Sequence, residues 1–241
     1  MRLFLLFLTA FVANALADDS PEAPPVKDLG NGRYQLGEVT FDENSREISF
    51  PATVNMTEGL LEFAVVHEKG KIHESLLMTK ASALNINLAL KLLNYEESPE
   101  LFPVYNEETQ SLGDYPKVSE KVKTAARLRI LVKWEQEGEE KEASLNEWIY
   151  HTPTEKAMEP VPWIYSGSFV SEGRFAAETT GDYFAIFKDP ASMINFPGTD
   201  NDLDEVWIPT PEVIPPANTK VTLTLAPLLE KPASNSDNQR Q

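Results

Sequence analysis

"LLEFAVVHEKGKIHESLLMT", residues 60–79, decides how the chain is read. Two apolar runs flank Lys69 and Gly70, and their Val, Phe, Ile and Leu content favours extended backbone. A glycine at the tip supplies the positive φ of a tight reversal, so the stretch predicts a β-hairpin. With a two-residue loop, Val66 faces His73 and Ala64 faces Ser75. Alternation then gathers Glu62, Ala64, Val66, His73, Ser75 and Leu77 on one face. With a three-residue loop the parity flips, and Glu62 shares its face with Glu74 instead. Both registers stay open at this stage.

Either register places ionisable groups on a largely apolar surface, where a charge needs a partner or a shifted pKa. Glu62, His73, Glu74 and Ser75 are therefore the candidate polar cluster. One reading makes it a functional site, with carboxylate, imidazole and hydroxyl held by rigid strands. The other makes it a hydrogen-bonded network that serves the fold, with Arg127, Arg129 or Lys133 as counter-charge.

Working outward, short segments such as "EVTFD", "REISFPATV", "RLRILVKWE", "WIYSGSF", "DYFAIFKD" and "KVTLTLAPL" have strand length and composition. "SALNINLALKLLN", residues 82–94, differs: its leucines recur at near-helical spacing, Ser82 suits an N-cap and Asn94 a C-terminal stop. A helix this apolar must pack against a sheet face. The expected fold is α+β, a mainly antiparallel β-sheet with one packed α-helix at about residues 82–94. Residues 95–121 carry turn residues, acids and three prolines without periodicity, and loops of that length usually have a purpose.

The ends read differently from the middle. "MRLFLLFLTAFVANALA", residues 1–17, has one cation, a short apolar run and small residues at Ala15 and Ala17, the layout of a cleaved secretory signal. Its apolar run is shorter than the roughly 20 residues of a membrane span. Residues 18–31 are acidic and proline-rich and read as a linker, residues 32–229 as one β-rich domain, and residues 230–241 as a polar tail. These features predict a periplasmic or secreted protein with no membrane span after cleavage. The formal net charge of −17 becomes −18 once Arg2 leaves with the signal. Such a surface repels phosphate backbones, so nucleic acid is not an expected partner.

The chain has no cysteine, which excludes disulfides, thiolate metal sites and a cysteine nucleophile. "HESLL" starts like a zinc-protease helix, but Leu77 stands where the second histidine belongs. Asp200, Asp202 and Asp204 in "DNDLDE" alternate as at the start of a calcium loop. Glu205 then replaces the turn glycine and Pro211 the closing glutamate, so they remain weak metal candidates beside the reading of a solvated acidic turn. "IYSGSF" lacks a nucleophile elbow. The four tryptophans fit either a binding platform or core positions. No cofactor motif is present.

"FDENSREISFPATVN", "GLLEFAVVHEKGKIHESLLMT" with the leucine-rich helix after it, "WIYSGSF" and "VTLTLAPL" together resemble the YdjY-domain proteins. The resemblance runs from about Val39 to Leu228. It implies a bacterial, exported protein from a group without an established function, and it brings no catalytic residues. The expectation is a non-enzymatic module of the cell envelope that binds a small ligand or an envelope protein. The alternative is a metal-dependent or hydrolytic enzyme that uses the Glu/His/Ser cluster.

Overall fold

The computed structural model of the protein describes residues 25–228; the expected signal and tail lie outside the described residues. Eight strands form its centre: β1 (Ile48–Val54), β2 (Phe63–His67), β3 (Ser75–Thr79), β4 (Arg127–Gln136), β5 (Trp163–Tyr165), β6 (Asp182–Ala185), β7 (Ile194–Asn195) and β8 (Lys220–Pro227). Their hydrogen-bonded order is β1-β8-β4-β5-β7-β6-β2-β3, and β3 returns to β1 through Thr53 opposite Met78 and Val54 opposite Leu77. The sheet is therefore a closed eight-stranded barrel. This corrects the expected sheet with one packed helix: the pairing of β3 with β1 closes the eight-strand row on itself, and among the described residues three short helices accompany the strands.

Two pairings are parallel. One is β6 with β7, and the other is β2 with β3, where Phe63 lies beside Ser75 and Val65 beside Leu77. The second overturns the hairpin reading of residues 60–79. His67 and Ser75 are joined by a return segment that ends in a 3-10 turn, Ile72–Glu74, and the chain re-enters the sheet in its original direction. Gly70 is not at positive φ. Its backbone passes close against Gly181, itself left-handed with φ 81°, so that a Cβ at residue 70 would press on the Gly181 carbonyl. A hairpin and this compact crossover have the same apolar alternation, so periodicity does not separate them.

The interior follows the strand period. Val221, Leu223 and Leu225 of β8 lie opposite Trp134, Val132 and Ile130 of β4, and all but the partly exposed Trp134 are buried. Strands β1 and β4 each share one edge between two partners. Along β1, Thr40 and Phe41 of the strand Val39–Asp42 precede β3; along β4, Glu139–Ser144 pairs beyond β5. That strand folds back on β4 through Glu137 (φ 56°) and Gly138 (φ 80°), the two positive φ values of a tight hairpin turn. Among the described residues the sheet begins at Lys27, which pairs with Gln35 inside an N-terminal meander.

Helix α1 (Ala83–Leu92) forms where the leucine spacing placed it. The Ser82 hydroxyl accepts from the Asn85 amide, and Glu178 of α3 (Ala176–Thr180) accepts from the Leu84 amide. At the other end Asn94 is left-handed (φ 59°) and the Tyr95 amide reaches the Leu90 carbonyl, closing the helix. Arg46 donates to the Leu93 carbonyl over 3.0 Å and stacks 4.6 Å above the Tyr95 ring. Only one side of α1 is buried. Leu84, Leu88 and Leu92 form an exposed row on the other. Residues 104–115 form an exposed excursion with Val104, Tyr105, Leu112 and Tyr115 outward, before α2 (Glu120–Ala126) leads into β4. Among the described residues no helix is long and apolar enough to cross a membrane.

Candidate functional site

The β2–β3 crossover builds a charged rim on the barrel surface. The Glu62 amide donates to the Glu74 carbonyl over 3.0 Å, which brings together the residues that immediately precede the parallel strands β2 and β3. Burial raises the Glu62 pKa, and the neighbouring carboxylates of Glu74 and Asp204 push it further, against the pull of Lys71 and His73. The His73 ring is 77% exposed and its Nε2 lies 3.6 Å from a Glu74 oxygen, an ion-pair distance rather than a hydrogen bond.

Ser75 has a different fate. It is fully buried at the start of β3, and its Oγ donates to the Lys71 carbonyl over 2.6 Å. Asn55 holds the same strand end by donating to the Ser75 carbonyl. The hydroxyl is thereby committed to the backbone of the turn and is not offered to His73. Of the four candidates, Glu62, His73 and Glu74 share the rim, while Ser75 fixes the loop beneath it.

Sequence reasoning passed over Lys71, Asp182 and Phe63, which complete this surface. The Lys71 Nζ lies 3.7 Å from an Asp182 oxygen, 4.0 Å from a Glu74 oxygen and 4.6 Å above the Phe63 ring. The Asp182 side chain is 4% exposed, and its Oδ1 has no hydrogen-bond partner. Burial raises its pKa, with Lys71 opposing. The available signal was the aspartate itself: an acid opening the otherwise apolar "DYFAIF" has to find a cation.

Asp200, Asp202 and Asp204 diverge. An Asp200 oxygen lies 3.0 Å from the His151 Nε2, Asp202 pairs with Lys188 at 3.6 Å, and Asp204 faces the field of Glu62. Among the described residues no three His, Asp or Glu side chains converge as a metal would require. His151 is buried against Trp207 and its Nδ1 lies 2.9 Å from the Thr154 hydroxyl, an arrangement that ties one turn to the Asp200 loop. Trp148, Trp163 and Trp207 are buried in the core, and Trp134 is partly exposed on the barrel wall. Ser166 and Ser168 of "IYSGSF" spend their hydroxyls on the carbonyls of residues 191–193.

A family model described as the YdjY domain matches residues 39–226, the span over which the sequence resemblance was seen. No curated protein and no solved structure matches the chain.

Proposed function

The chain belongs to the YdjY domain family, a bacterial group without an established function, and from that premise we propose that it is an exported module of the cell envelope that binds a ligand or partner protein without turning it over. The observation that carries this reading is the division of the candidate cluster: the carboxylates and imidazole stand on an open rim, while the one hydroxyl that would serve as nucleophile is sealed and bonded to a carbonyl. General acid–base or nucleophilic chemistry needs those groups within hydrogen-bond reach of one another. A binding surface needs only fixed charge and accessible apolar area. The Leu84, Leu88 and Leu92 row and the exposed residues 104–115 supply the latter, and apolar display of this kind marks interaction surfaces. Export is supported by the composition of residues 1–17.

Metal analysis of the purified protein tests the proposal against the enzymatic alternative. It is expected to return no stoichiometric zinc. Stoichiometric zinc that disappears in a folded His73→Ala variant overturns the binding reading in favour of metal-dependent chemistry.

A further inference from the structure

We propose that Phe63, Glu74 and Asp182 form a cage for an organic cation, an ammonium or guanidinium group, and that Lys71 is an exchangeable plug supplied by the chain itself. The proposal rests on the binding-module reading and names the chemical class of its ligand.

Lys71 and Asp182 are both under-satisfied. No carboxylate comes closer than 3.7 Å to the Lys71 Nζ among the described residues, beyond hydrogen-bond length. Asp182 is enclosed, points one oxygen at that ammonium and leaves the other without a donor. A buried carboxylate gains most from short, charge-assisted donors, and here it has none from Lys71. The lysine spans a site without filling it.

Its backbone and side chain behave separately. The Lys71 carbonyl is pinned by the Ser75 hydroxyl at 2.6 Å, while the side chain is 45% exposed and can turn into water without moving that backbone, with an incoming cation taking over its partnership with Asp182. That movement uncovers the face of Phe63, now 1% exposed, and the Asp182 oxygens beside it. An aromatic face flanked by carboxylates recognises alkylammonium and guanidinium groups. A bare calcium ion would need six or more oxygens, and a ring face offers none.

The test follows the Phe63 ring by NMR while n-butylammonium chloride is added, with sodium chloride at equal ionic strength as control. Wild type should show a saturable Phe63 shift that sodium does not reproduce. Lys71→Ala should bind about tenfold more tightly, the change expected when one competing contact of that order is removed. Phe63→Leu should bind more weakly. If Lys71→Ala does not fold, the wild-type Phe63 response decides alone. A Phe63 ring unmoved by butylammonium, or moved equally by sodium, overturns the cage. Butylammonium binding elsewhere with Phe63 unmoved also overturns it, yet leaves the binding-module reading standing; zinc lost in His73→Ala would remove that reading itself.

Discussion

A Cβ built on Gly181 would fall 2.9 Å from the Gly70 Cα, and one built on Gly70 would fall 3.0 Å from the Gly181 carbonyl oxygen. These two backbones hold the β2–β3 crossover against the junction of α3 and β6. Gly181 also closes α3 in the left-handed region, while Gly70 does not need positive φ. Gly181→Ala is therefore expected to cost about 1–3 kcal/mol from strain alone, with the collision added, and more than Gly70→Ala. Urea unfolding of both variants measures the order; equal costs would count against the φ strain at Gly181, and a neutral Gly70→Ala would count against the contact.

Removing the Lys71 charge should destabilise the fold in a pH-dependent way. Burial raises the Asp182 pKa in the folded state, so the folded protein binds the proton more tightly than the unfolded chain. Its contribution to stability then falls as pH rises through the window that starts near the ordinary value of 3.8 and extends upward to the raised one. Lys71 opposes that rise. Lys71→Met should cost about 1–3 kcal/mol at neutral pH, discounted from a fully buried pair because the lysine is half in water. The deficit should shrink as pH falls through that same window, because Asp182 takes up its proton there. Thermal melts from acid to neutral pH check the sign, and a deficit that grows on acidification would refute it.

Ser75 and His73 should separate cleanly. Ser75→Ala deletes the buried donor to the Lys71 carbonyl and is expected to cost about 1 kcal/mol. His73→Ala removes an exposed ring and should stay within about 0.5 kcal/mol of wild type. Denaturant midpoints report both, and a large loss in His73→Ala would mean the ring supports the fold.

Arg46 ties the C-terminal end of α1 to the turn before β1. Arg46→Met removes two donors to the Leu93 and Asn94 carbonyls and a cation at the negative end of the helix. A loss of about 0.5–1.5 kcal/mol is expected. Amide exchange should rise first at Leu93 and Tyr95; unchanged protection there would contradict the capping role.

What the sequence made legible was local. Ser82, the leucine spacing and Asn94 specify α1 within a few residues because capping and helical period act over one turn. The family resemblance was legible too, and the match over residues 39–226 bears it out. Barrel closure was not, because it depends on Thr53 and Val54 meeting Met78 and Leu77, contacts that no local pattern encodes. The direction of β3 was hidden for a related reason: Lys69 and Gly70 look the same before a tight turn and before a return crossover. At the site, Glu62, His73 and Glu74 do come together, but through the 3-10 turn rather than through a hairpin face. Lys71 and Asp182 escaped notice because their pairing joins residues far apart in the chain.

Backbone NOEs between β2 and β3 test the central claim, that a parallel crossover assembles the rim and seals Ser75 beneath it. The account predicts contacts of Phe63 with Ser75 and of Val65 with Leu77, in parallel pattern. Antiparallel contacts that set Val66 against His73 and Ala64 against Ser75 would contradict it.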